Sequence, residues 1–152
     1  MINYGLSDTS GKMSIYSDKS GSTMASLYKR DLEYRNINFE NNEEVDILTL
    51  DEFCANQKID NILLLKIDVE GNEYNVLKGA KRMLEEGRIK YIQFESGGCN
   101  ISSRIFFFDF WNLLNEKYKI YHIMKDGIDE INNYDERLEI FTYCNYFCKR
   151  KE

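Results

Sequence analysis

Carboxylates gather where a mostly apolar run of this chain ends. The run Leu63–Ile67 leads directly into Asp68 and Glu70, and a third acid, Glu95, follows the apolar segment Tyr91–Phe94. Grouped carboxylates can act as a general base towards a hydroxyl, hold a divalent cation, or face a cationic ligand. The plainer interpretation is that acids in the first turn of a helix stabilise it through the helix dipole. Both interpretations stay open for Glu70, whereas Asp68 and Glu95 each stand where a strand-like segment stops.

The three acids can act together only if the chain brings those segments side by side. Ile62–Ile67 is short and almost continuously apolar, which suits a parallel strand covered on both faces. Tyr91–Phe94 predicts a second strand. Between them, Asn72 fits a helix N-cap and Gly87 fits the end of that helix. Ligands of open α/β sheets bind beyond the carboxyl ends of the strands, so the carboxylates converge if the two strands are neighbours.

The remaining pattern predicts an α/β fold. An aromatic helix, capped by Ser102 or Ser103, follows the second strand. Further strands are predicted at Ile2–Leu6, Lys12–Ser17, Val45–Leu50, Lys119–Met124 and Glu139–Phe147. The alternation of strands and helices indicates βαβ units and a mostly parallel sheet. The last strand follows its predecessor without an intervening helix, which favours an antiparallel strand at the C-terminal end.

Composition narrows the class of protein. The chain has 152 residues, enough for a single domain over residues 1–152, and hydrophobic residues make up 43% of it. No apolar run approaches the roughly 20 residues that span a bilayer, and the N-terminus lacks the pattern of a signal peptide. The net charge is −6 without a basic stripe, so we expect neither a nucleic-acid nor a membrane partner, and a cytoplasmic location.

The cysteines do not indicate a metal site. Cys54, Cys99, Cys144 and Cys148 form no Cys-x-x-Cys pair, and His122 is the only histidine. A closed zinc site is therefore not expected. The four thiols are interpreted as reduced and structural.

The stretch KIDVEGNEYNVLKGA, residues 66–80, resembles the signature of FkbM-type methyltransferases. That pattern runs lysine, apolar, Asp, apolar, Glu-Gly, then an acid and Val-Leu-x-Gly-Ala. The matching positions are Lys66, Asp68, Glu70, Gly71, Glu73, Val76, Leu77, Gly79 and Ala80. GLSDTSGKMSIY (residues 5–16), LTLDEF (48–53) and YIQFE (91–95) are similar to segments that flank the signature in that family. The central motif is specific to the family, and each flanking match is weak by itself.

The resemblance implies a Rossmann-like class I methyltransferase fold, S-adenosylmethionine as methyl donor, and O-methylation of a hydroxyl on a sugar or another small metabolite. It implies that Asp68 is a base or an orienting carboxylate, that Glu70 supports it, and that Glu95 lines the acceptor side. Ser7 and Asp8 then contact the cofactor. The alternative for these two residues is a simple turn.

Such methyltransferases begin with a strand and a glycine-rich turn that approaches the cofactor, and these 152 residues contain neither. The expectation is a partial domain that lacks its N-terminal portion. Ile62–Ile67 would then expose an apolar edge open to self-association or to a partner chain, unless the segment around Ile2–Ser17 covers it. Two other hypotheses stay open: a non-catalytic relic or interaction module, and a hydrolase that binds magnesium or calcium through oxygen ligands.

Overall fold

The computed structural model describes residues 3–152, which form two β-sheets and five α-helices. The strands are β1 (Gly5–Leu6), β2 (Gly11–Ser17), β3 (Asn41–Leu48), β4 (Ile62–Ile67), β5 (Ile89–Ser96), β6 (Tyr118–Met124), β7 (Gly127–Ile131) and β8 (Cys144–Arg150). The helices are α1 (Leu50–Gln57), α2 (Glu73–Lys78), α3 (Lys81–Glu85), α4 (Cys99–Ser103) and α5 (Phe107–Leu114). The predicted α/β class is therefore confirmed. Ile2, the first residue of one predicted strand, lies outside the described residues.

The larger sheet has the order β4-β5-β8-β6-β7. β4 and β5 pair in parallel, and every other neighbouring pair in this sheet is antiparallel. The prediction of a mostly parallel sheet was wrong. β5 and β6 do run in the same direction, as a βαβ crossover requires. However, the antiparallel C-terminal strand β8 lies between them, so β5 and β6 each pair antiparallel with β8 and not in parallel with each other.

One βαβ unit connects β4 to β5 and carries the motif. Its helical part is split into α2 and α3, and Asp51 of α1 accepts hydrogen bonds from the backbone N–H groups of Arg82 (2.7 Å) and Met83 (3.1 Å) at the start of α3. Gly87, with φ 65°, ends this part as predicted. Asn72 stands at the N-cap position of α2, but its side chain makes no capping bond.

The core lies between the larger sheet and α5. Phe110 of α5 stacks on Phe94 of β5 with a centroid distance of 4.4 Å, and both side chains are fully buried. The predicted cap at Ser102 or Ser103 was wrong, because both serines belong to α4. The N-terminal N–H groups of α5 instead bind the distant carboxylate of Glu139, at 2.8 and 2.9 Å.

The smaller sheet, of order β1-β3-β2, packs against α2. The Asn72 side chain donates a hydrogen bond to the carbonyl oxygen of Leu6 (3.0 Å), which ties this sheet to the motif. The smaller sheet does not pair with β4, so the idea that the N-terminal segment closes that edge was wrong. Among residues 3–152, β4 has a strand neighbour on one side only, and Leu63 and Leu64 on it are 67% and 51% exposed.

Candidate functional site

Two carboxylates lie side by side at the carboxyl end of the β4–β5 pair. Ile67 is opposite Phe94 in the parallel register, so Asp68 and Glu95 occupy the next position on each chain. Neighbouring strands are roughly 4.8 Å apart, which places the two backbones within one side-chain length of each other. The acids were expected to converge if the two strands are neighbours, and β4 and β5 are neighbours.

The turn after β4 is held by a buried carboxylate. Glu70 and Gly71 both have left-handed backbones, with φ 53° and 109°. Glu73 is fully buried, and its carboxylate accepts hydrogen bonds from the backbone N–H groups of Val69 (3.0 Å) and Gly71 (2.9 Å). A strained turn persists only where its surroundings fix it, and Glu73 supplies that restraint.

An arginine that sequence reasoning missed pairs with the motif. Arg30, in the segment between β2 and β3, donates from its guanidinium to the Glu70 carboxylate at 2.8 Å, and its side chain is only 9% exposed. Ser26, in the same segment, donates to the Glu70 carbonyl oxygen at 2.7 Å. This segment therefore covers the turn. Arg30 lies 40 positions before Glu70 in an irregular stretch, and no local pattern marks it.

The electrostatic environment sets Glu95 apart from its neighbours. The pKa of Glu95 is raised to about 7, chiefly by burial and then by the negative charges of Glu70, Asp68 and Glu73, while Arg30 partly opposes the rise. A carboxyl with this pKa exchanges protons near neutral pH, which is the property of an effective general base or acid.

The other acidic side chains near Glu95 already have partners within the protein. The exposed Asp68 forms an ion pair with Lys66 at 2.6 Å. Burial is also the main cause that raises the pKa of Glu73, whose oxygens bind the turn. The nearby Cys99 thiol has its pKa raised to about 12, chiefly by burial, so it is not an activated nucleophile.

A family model for the methyltransferase FkbM domain matches residues 1–146, nearly the whole chain. The chain belongs to the FkbM methyltransferase domain family. The resemblance of the motif is thereby confirmed. The motif turn, the smaller sheet and β4 to β7 lie within the match, which ends inside β8. Comparisons with curated proteins and with solved structures gave no match. No helix among residues 3–152 of this FkbM domain is long and apolar enough to cross a membrane.

The residues expected to contact a cofactor are engaged within the FkbM domain. Ser7 is fully buried, and its hydroxyl accepts from the Asn72 amide (3.3 Å) and donates to Asp8 (3.3 Å). Asp8 pairs with Lys78 at 2.6 Å, and that hydrogen bond is the main cause that lowers the pKa of Asp8. Both residues therefore hold the smaller sheet on α2, and their contact with a cofactor stays a prediction.

A cavity of about 210 Å³ lies between the smaller sheet and the motif turn. Its walls are mostly apolar, and Asp68 and Val69 contribute the side next to the carboxylates. Small-molecule sites usually measure about 300–1,000 Å³, so this cavity by itself is too small for a whole S-adenosylmethionine molecule. Within residues 3–152, no group of three or more His, Cys, Asp or Glu side chains is arranged for a metal ion, and the hydrolase hypothesis gains no support.

Proposed function

We propose that this FkbM domain is the acceptor side of an S-adenosylmethionine-dependent O-methyltransferase acting on a hydroxyl of a sugar or another small metabolite. Membership of the family supports methyl transfer. The observation that carries the proposal is Glu95, a carboxylate with a pKa of about 7 beside Asp68 at the carboxyl ends of adjacent parallel strands. A hydroxyl must lose its proton as it accepts a methyl group, and such a carboxylate is suited to take it.

In this proposal each acid has a different role. Glu95 takes the proton of the acceptor hydroxyl, and Asp68 accepts a hydrogen bond that orients the acceptor. Glu70 does not react; its ion pair with Arg30 keeps the turn in place. Methyl transfer is an in-line displacement, so most of the acceleration comes from positioning the acceptor oxygen rather than from proton transfer.

We further propose that the cofactor-binding half of a Rossmann-like sheet pairs with the open edge of β4, supplied by a preceding segment or by a separate chain. In doubly wound sheets the first strand, which carries the glycine-rich turn, lies beside the fourth. The exposed Leu63 and Leu64 are the side chains that such a strand would cover. The four buried, unpaired thiols support a cytoplasmic location.

The alternative is a relic or interaction module that keeps the fold without the cofactor. The same exposed apolar edge favours it, because an unpaired strand is a template for binding another chain. The engaged Ser7 and Asp8 are equally compatible with it.

Calorimetric titration with S-adenosylmethionine distinguishes the methyltransferase from the relic or interaction module. We expect no binding to the chain alone, and binding once a strand and glycine-rich turn from another FkbM domain are fused to its N-terminus. Micromolar binding by the chain alone would exclude the relic and would also refute the need for a second segment. The absence of binding in both forms would contradict the proposal and favour the interaction module.

Two matched variants of the fused protein test the edge itself. Leu63→Arg places a charge on the β4 edge, and we expect it to abolish cofactor binding. Ile128→Arg places the same charge on β7, the opposite edge of the sheet, where Ile128 is similarly exposed, and we expect no effect on binding. Equal binding by both variants would contradict pairing at β4.

A further inference from the structure

Three exposed aromatic side chains form a surface that the proposed chemistry does not use. Phe106, Phe141 and Tyr143, here called the aromatic patch, include the largely exposed Tyr143, with 72% of its surface accessible. The rings of Phe106 and Phe141 meet edge to face, with centroids 6.0 Å apart. Contiguous exposed apolar groups commonly mark a binding surface.

The aromatic patch lies beside the carboxylates. Ser96, the residue after Glu95, pairs with Cys144, the residue after Tyr143. The chain at Thr142 approaches so closely that a Cβ on Gly97 would stand 2.9 Å from the Thr142 carbonyl oxygen. A glycine is therefore required at position 97 for the segment that carries Phe141 and Tyr143 to reach the end of β5.

A second observation links Tyr143 to β4. Lys66 has its pKa raised mainly by its hydrogen bond with Asp68, and Tyr143 and Glu95 lie close enough to make smaller contributions to the same rise. Tyr143 is thus within electrostatic range of the Lys66–Asp68 pair as well as next to β5. Tyr143 therefore lies near the ends of both strands that carry the carboxylates.

We propose that the aromatic patch binds the ring of an uncharged, hydroxyl-bearing acceptor, a neutral sugar, and holds one of its hydroxyls against Glu95; this rests on the proposed function. The carbon-bound hydrogens of a saturated ring pack on aromatic faces, while its hydroxyls donate to carboxylates. Each proposed contact comes from a group that is exposed or partly exposed in the structure.

The charges of the site select against ionic acceptors. Arg30 and Lys66 are already paired with Glu70 and Asp68, so no free cation of this cluster is available to a phosphate. A phosphorylated or nucleotide-linked sugar would therefore find no unpaired cation among these residues to offset its charge. The two ion pairs also compensate the charges of Glu70 and Asp68, and Glu95, whose pKa is about 7, is only partly ionised near neutral pH, so an amine gains little. A neutral acceptor therefore suits the charges of this site best.

Saturation-transfer NMR on the isolated chain tests this without cofactor or turnover. The probes are methyl glycosides of neutral hexoses, with glucose 1-phosphate and glucosamine as the anionic and cationic comparisons. We expect saturation of the ring hydrogens of the neutral glycosides, and about three- to tenfold weaker binding by Tyr143→Ala, the loss of one aromatic contact. Tyr34→Ala, which removes an equally exposed tyrosine outside the aromatic patch, should bind as the unmodified chain does.

The outcomes are separable. Absence of binding by neutral glycosides, equal binding by Tyr143→Ala, or tighter binding of either charged sugar would overturn the proposal. Phe106→Ala serves as a second variant on the same surface and should also weaken binding. Glycoside binding that depends on Tyr143, in a protein whose fused form never binds S-adenosylmethionine, would preserve the sugar site and reject methyl transfer.

Discussion

Replacing Glu95 with glutamine removes a carboxyl whose ionisation opposes folding. In the folded chain the pKa of Glu95 is about 7, against its ordinary value of 4.5, because burial and the neighbouring acids disfavour the charged form. The folded state therefore holds the proton more tightly than the unfolded state does. The contribution of the Glu95 carboxyl to the free energy of unfolding is fully present below about pH 4.5 and is lost as the pH rises through about 7.

The size of the effect follows from the two pKa values. A carboxyl whose pKa rises this far on folding destabilises the ionised folded state by about 3 kcal/mol. Solvent reaches part of the Glu95 side chain and screens its charge, so we expect about 2 kcal/mol. Glutamine has nearly the same shape and cannot ionise, so Glu95→Gln should recover this amount at alkaline pH.

Urea unfolding at two pH values provides the assay. At about pH 8 we expect Glu95→Gln to unfold at a urea concentration about 1 M higher than the unmodified chain, given typical dependences of stability on urea. At about pH 5 most of the difference should disappear. Glu116→Gln, at an exposed position, is the matched control and should change stability by less than about 0.5 kcal/mol at either pH. A variant that is no more stable than the unmodified chain at alkaline pH would refute the reasoning.

Three further predictions concern contacts around the motif. Arg30→Met should raise the pKa of Glu95 above about 7, since Arg30 lowers it, and a carbon-detected NMR titration would show this; an unchanged pKa would contradict the coupling. Glu73→Ala should cost about 2–4 kcal/mol in urea unfolding because two backbone N–H groups of the turn lose their acceptor, and a loss below about 1 kcal/mol would argue against that restraint. Gly79→Ala should destabilise the domain although Gly79 has an ordinary helical backbone, because the added Cβ would stand 2.1 Å from the Ser7 carbonyl oxygen; thermal unfolding at an unchanged temperature would show that the smaller sheet yields.

The strands that carry the acids were predictable because the evidence is local. Ile62–Ile67 and Tyr91–Phe94 are apolar runs that end at a carboxylate, and the structure places strands there in parallel register. The motif between them resembles the FkbM signature, and the family match confirms that resemblance. One βαβ unit is a local structure, so a local pattern suffices to describe it.

The order of strands in the sheet was not predictable in the same way. An alternating pattern shows that a segment is a strand and which face is buried, but it does not name the neighbour. The C-terminal strand β8 is antiparallel as predicted, but the sequence did not indicate that it lies between β5 and β6. β7 was missed altogether, because Gly127–Ile131 is mostly exposed and carries no apolar face.

Glu95 is the base of the proposed reaction because the other acids are committed elsewhere. Glu73 uses its oxygens to hold the turn, and Glu70 and Asp68 each have a basic partner. Within residues 3–152, Glu95 has no ion pair, and its pKa depends on all three of these neighbours. A substitution that loosens the turn therefore also changes the proton affinity of Glu95. The stability of the turn and the proton affinity of Glu95 are therefore coupled through the same carboxylates. The two effects can be measured separately only by comparing variants such as Glu95→Gln, which removes the base, and Glu73→Ala, which loosens the turn.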